Sequence, residues 1–155
     1  MDGRKTFRRF FEIMTEARIN YSLILAGCGS IIAAILHLAI IIGGPDWYRF
    51  FGAGEGIARM AERGLWTPVI FTVGIAAVLM TWAAYAFSGA GIIRQLPFTR
   101  TALILISLVL ILRALAYFAR GAWRPDLSHG FMLWSSLIVF ILGLCFAIGT
   151  WKAWT

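Results

Sequence analysis

Residues 101–119 read TALILISLVLILRALAYFA. This stretch decides the fold, because an apolar helix of about 20 residues, rising 1.5 Å per residue, crosses the hydrocarbon core of a bilayer. One residue interrupts it. Arg113 stands inside the run, where a charged side chain costs about 2.5–3.5 kcal/mol on insertion scales and so faces a partner, a wet cavity or the headgroups. The stretch therefore reads as a membrane span carrying a polar site.

The rest of the chain agrees with that reading. Of 155 residues, 61% are hydrophobic and 14% charged, against about 45–50% and about 25% in soluble domains. The net charge of +7 lies mostly beside apolar runs, which points to topology and contact with anionic lipid and away from nucleic acid. Cys28 and Cys145 both lie within apolar runs with no CxxC or Cys/His spacing, so they read as small buried hydrophobes.

Working outward from 101–119, three more spans are expected, at 21–43, 67–88 and 130–150. Pro68 opens the second, the GAG at 89–91 and Pro97 precede the third, and Pro125 marks the turn before the fourth. Residues 1–20 come before the first span. Within them Phe7, Phe10, Phe11 and Met14 share one helical side among Arg4, Lys5, Arg8, Arg9 and Glu12, the pattern of an interfacial amphipathic helix and not of a cleaved leader. The 44–66 loop holds a short helix over about 51–63, with Glu55, Arg59 and Glu62 on one face and Ile57, Met60 and Ala61 on another. The expected fold is an all-α integral membrane protein, one domain over 1–155. It is a four-transmembrane-helix bundle with an N-terminal interfacial helix and a short helix in the first outer loop.

Lys and Arg set the orientation. The N-terminal segment carries Arg4, Lys5, Arg8, Arg9 and Arg18, the 89–100 loop Arg94 and Arg100, and the tail Lys152, eight in all. The other side carries five: Arg49, Arg59, Arg63, Arg120 and Arg124. Both termini are thus expected in the cytoplasm. Trp47, Tyr48, Trp66 and Trp123 then fall at the outer interface, and Tyr21, Trp151 and Trp154 at the inner one.

Depth arithmetic gives Arg113 company. Arg113 and Tyr117 one turn on, His37 in the first span, and Thr72 and Ser135 in the second and fourth all fall in the outer half, with Glu55 above them. Small residues mark helix contacts in membranes. By that rule Ala26, Ser30, Ala33 and His37 face the bundle, as do Gly74, Ala77, Thr81, Ala84 and Ser88 on the second span. Leu133, Ser136, Phe140, Gly143 and Ala147 do so on the fourth. The candidate ligand-binding set is therefore His37, Glu55, Thr72, Arg113, Tyr117 and Ser135. In that set Arg113 suits a carboxylate or phosphate, His37 changes charge near neutral pH, and Tyr117 adds a hydroxyl.

Each member also has a structural role open to it. Arg113 can snorkel or donate to carbonyls, His37 can bond within the bundle, Glu55 can pair with Arg59, and Asp46 can cap a turn after Pro45. No cofactor is expected: His37 and His129 lie at unequal depths for haem, and His37 with Glu55 or Asp46 shows no recognised metal spacing. No phosphate loop, nucleophile elbow or HExxH helix occurs, and the GAGEG at 52–56 lacks the strand a dinucleotide loop needs.

The stretches GGPDWYRFFGAGE (43–55), SGAGIIRQLPFTR (88–100), RALAYFARG (113–121) and WSSLIVFILGLCFAIG (134–149) resemble small four-helix bacterial inner-membrane proteins without an assigned activity. The resemblance implies a location in the bacterial inner membrane and a topology, with no mechanism. The expected function is binding of a lipid-like or small amphiphilic ligand in an outer-facing polar pocket. The alternatives are an accessory subunit of a larger membrane complex and a small proton-coupled transporter; catalysis ranks behind them. Partners would be membrane lipids, other membrane proteins or further copies of the chain.

Overall fold

A computed structural model describes the backbone of residues 20–123 and 129–155, and the side chains of all of these except 117, 118, 120–123 and 129–132. The amphipathic segment expected at 4–18 and the turn at Pro125 lie outside the described residues. Five helices and no strand occur among those described: α1 (Tyr21–Phe50), α2 (Glu55–Glu62), α3 (Thr67–Gly89), α4 (Thr99–Trp123) and α5 (His129–Trp154). Four of them, all but α2, are long and apolar enough to cross a membrane. The chain is thus built as a multi-pass membrane protein.

The helix ends follow local chemistry. Asn20 caps α1, its Oδ1 accepting from the Leu23 N–H at 3.2 Å. The same side chain donates through Nδ2 to the Gly149 carbonyl at 2.6 Å, which ties the start of α1 to the end of α5. Pro68 sits in the first turn of α3, where its missing N–H removes no helical bond. At Gly44 α1 is broken: φ +70° and ψ −156° belong to a region that only glycine enters freely. The membrane-spanning part of α1 stops there, and Pro45 begins a short second segment that runs on at a new angle.

The helices alternate in direction. The start of α1 (Leu23), the end of α3 (Gly89), the start of α4 (Leu103) and the end of α5 (Gly149) meet at one end of the bundle. Here, at the Asn20 end, all four spans share one core of Leu23, Ala26, Ala86, Leu103, Ile106, Leu110 and Phe146. Further along, Ala34, Ala76 and Leu79 join α1 to α3 alone. At the opposite end Ile40, Tyr48 and Ala58 join α1 to α2. The ring order is α1–α3–α4–α5, so α1 and α4 stand on a diagonal, with no close backbone approach between them among the described residues.

The bundle is thin. Only 28–33% of the most apolar stretch of each span is buried within the chain. In lipid that is stable, because tails solvate Ile and Leu and the helices are held by close packing instead. Gly149 shows how close: a Cβ there would lie 2.6 Å from Leu23 Cγ. Buried hydroxyls turn back on their own helices, Ser30 to Ala26, Ser107 to Leu103 and Thr150 to Phe146, at 2.7–2.9 Å. Among the described residues no buried hydroxyl is left unsatisfied in an apolar surround.

Two expectations about faces are corrected. Gly74, Ala77 and Thr81 point outward, with Ala84 half-buried and only Ser88 of that stripe buried. The face of α3 that packs on α1 is instead Pro68, Thr72, Ala76, Leu79, Ala83 and Ala86. Tyr48, expected at the interface, is 3% exposed and belongs to the protein interior.

Candidate functional site at the loop-helix end

The break at Gly44 positions the residues beyond it. Pro45 starts one and a half turns that bring Tyr48 inward and Arg49 toward α2. Tyr48 and Thr72 lie with their oxygens 3.2 Å apart, both buried. Thr72 already donates its single hydroxyl proton to the Pro68 carbonyl at 2.7 Å, so Tyr48 is the donor to Thr72. This bond fastens the kinked segment of α1 to the first turn of α3.

Arg49 is the hub of a charged clasp. Its Nε donates to Glu55 Oε2 at 3.0 Å, Nη1 to Asp46 at 3.2 Å and Nη2 to Glu62 at 2.5 Å. Arg59 holds the other Glu55 oxygen at 3.0 Å, one turn along α2. The hydrogen bond from Arg49, then the one from Arg59, holds the Glu55 carboxyl down from 4.5 to about 2. Glu55 and Glu62 in turn raise Arg49 above its ordinary range. Beside the clasp, Asp46, Trp47, Phe50 and Phe51 line an open groove of about 480 Å³. Its rings meet edge-on, Phe50 to Phe51 at 5.1 Å.

The six residues singled out from sequence have separate placements. His37 is half-buried and its Nδ1 lies 2.7 Å from the Ala33 carbonyl. A carbonyl only accepts, so Nδ1 carries a proton and donates it. Thr72 is occupied by Pro68 and Tyr48, and Glu55 by Arg49 and Arg59. Ser135 is half-buried on α5, and the Tyr117 side chain lies outside the described residues.

Arg113 is exposed on α4, 14 residues after Thr99 and so about 21 Å along the helix. His37 and Arg113 belong to helices on a diagonal of the ring, with no close backbone approach between them among the described residues. Thr72 and Glu55 share the loop-helix end with His37, while Arg113 stands on the outside of the bundle. Tyr48 and Arg49 are the residues of this region that sequence reasoning left out of the site. Tyr48 read as part of an aromatic belt. The signal for Arg49 was the presence of three acids, Asp46, Glu55 and Glu62, in the same loop.

Chemically, the clasp sets two guanidinium groups against three carboxylates, and the groove beside it is apolar with one carboxylate at its edge. Arg113 is an exposed residue partway along a membrane-spanning helix. Among the described residues no three His, Cys, Asp or Glu side chains group closely enough to hold a metal. In comparisons with known proteins the chain matches no family model, no curated protein and no solved structure.

Proposed function

We propose that this chain is a bacterial inner-membrane protein with both termini in the cytoplasm, and that it binds a lipid-like amphiphile with an acidic head at the outer side of the bundle. Arg113 is the anion-holding residue. The observation that carries the reading is an exposed arginine residue about 21 Å along a membrane-spanning helix. A cation there is stabilised by a phosphate or carboxylate, and the planar guanidinium takes either through two parallel hydrogen bonds. The acyl chains then lie along the exposed apolar flank of α4, where Leu108, Val109, Leu112 and Leu115 are all about half exposed. The excess of Lys and Arg on the Asn20 side supports the orientation.

The test is thermal unfolding in mild detergent with phosphatidic acid or phosphatidylcholine of the same chains. Phosphatidic acid should protect the wild type more than phosphatidylcholine, and Arg113→Leu should fold normally while losing that difference. Equal protection of both proteins by both lipids would remove the basis of the reading.

A second reading, an accessory subunit or self-associating protein, has its own support in the outward stripe Gly74, Ala77 and Thr81 on α3. At Gly74 a Cβ would meet nothing within 4 Å, which is the open surface that a second helix packs against. Purification in mild detergent should then recover a stoichiometric partner or a homo-oligomer; a monomer without partners would count against it.

A further inference from the structure

The turn joining α3 to α4 lies at the Asn20 end, opposite the site proposed above, and it is built around a buried hydroxyl. Ser88 is 1% exposed. Its Oγ accepts the Leu96 N–H at 2.8 Å and lies 3.3 Å from both the Arg94 carbonyl and Thr99 Oγ1. Thr99 donates to the Leu96 carbonyl at 2.6 Å and opens α4. A turn fixed in this way has little freedom to withdraw what it displays.

What it displays is apolar and basic together. Phe98 is 83% exposed and takes φ +57°, a left-handed conformation that β-carbon crowding disfavours for any residue but glycine. Ile92 and Ile93 are exposed on the same turn. Arg94 and Arg100 are exposed beside them, with the Arg100 guanidinium 6.0 Å from the centre of the Trp154 ring. Lys152 is exposed on the last turn of α5. No Asp or Glu occurs between Arg63 and Pro125 or after Asp126, so no acidic side chain among the described residues at this end neutralises them.

We infer that the 90–100 turn is an anchor for anionic lipid. Phe98, with Ile92 and Ile93, enters the boundary between headgroups and acyl chains, and Arg94 and Arg100 hold lipid phosphates on either side. The turn sits between the ends of two membrane-spanning helices, so these rings and chains stand at the depth where aromatic anchors work. A protein partner would need acidic groups set against the same spacing; an anionic leaflet supplies negative charge everywhere along the rim. Charge complementarity therefore favours the membrane's own lipid as the occupant.

The experiment is native mass spectrometry of the full chain from mild detergent, with equimolar phosphatidylglycerol and phosphatidylcholine of the same chains. An Arg113→Gln background removes the other proposed anion site. In that background phosphatidylglycerol adducts should predominate. Arg94→Gln and Arg100→Gln should each reduce the preference about fivefold, the effect of one basic residue near an anionic surface. Phe98→Gly relieves the backbone while removing the ring, so it should fold at least as well and bind fewer of both lipids at an unchanged ratio. Glycerol 3-phosphate, a headgroup without chains, should not compete. Retained preference in the Arg94→Gln/Arg100→Gln protein would overturn the inference. So would unaltered lipid binding by Phe98→Gly, or full competition by glycerol 3-phosphate.

Discussion

Gly44→Ala should destabilise the protein by about 1–3 kcal/mol, the cost of holding a residue with a Cβ in a backbone region reserved for glycine. The magnitude can be separated from packing. A Cβ at Gly44 would meet nothing within 4 Å, so steric conflict with neighbours contributes nothing and the whole cost is conformational, set by φ +70° and ψ −156°. Gly74 is the matched control. A Cβ there also meets nothing, but its backbone is ordinary helix, so Gly74→Ala should be neutral or stabilising by up to about 1 kcal/mol.

Both variants would be followed by thermal unfolding in mild detergent, where about 1 kcal/mol corresponds to roughly 2–4 °C for a chain of this size. Gly44→Ala should lower Tm by several degrees and Gly74→Ala should not. Gly44→Ala also has a spatial consequence: straightening α1 withdraws Tyr48 from Thr72 and Arg49 from Glu62, so hydrogen exchange should rise across α2 while the Asn20 end stays protected. Equal Tm values for Gly44→Ala and wild type would refute the break as a determinant of this end.

Tyr48→Phe removes one buried hydrogen bond and should cost about 0.5–1.5 kcal/mol; a cycle with Thr72→Val should show that most of it is coupling between the two, read as non-additive Tm shifts. Glu55 is held below its unfolded value, so it favours the folded clasp fully above about pH 4.5 and loses that contribution as pH falls toward about 2. Circular dichroism at low pH should therefore show loosening that Glu55→Gln, already lacking the charge, does not repeat. Ser88→Ala leaves the Leu96 N–H without its acceptor and should cost about 1–3 kcal/mol, visible as protease cleavage within 90–98.

The spans were legible in the sequence because length and apolarity alone decide whether a helix crosses a bilayer. Gly44, Pro68 and Gly89 bound them by backbone chemistry that one residue carries. Facing was harder. Water distinguishes inside from outside by polarity, but lipid does not, so Gly74 and Ala77 on one side of α3 and Ala76 and Ala83 on the other carry the same compositional signal. The packed face of α3 is decided by fit against α1, and sequence periodicity does not contain that fit. Tyr48 was misplaced for a related reason: an aromatic at a span end suits an interface equally well, and it is contacts distant in sequence, with Thr72 and the loop helix at Ala58, that make it interior. Arg49–Glu62 is likewise a contact of 13 residues' separation, beyond the helical spacings that revealed Glu55 and Arg59. Co-location of His37 with Arg113 followed from depth alone, and depth does not fix the position of a helix around a ring.

The ring order bears on how the protein is made. With α1 and α4 on a diagonal, each span has the partner it packs on most extensively next to it in the chain, α1 with α3 and α4 with α5. Each hairpin can therefore leave the insertion machinery as a finished pair and meet the other afterwards, mainly at the Asn20 end. The 90–98 turn is then a tether between two separately formed halves, and a chain severed there should still assemble when both pieces are synthesised in the same cell.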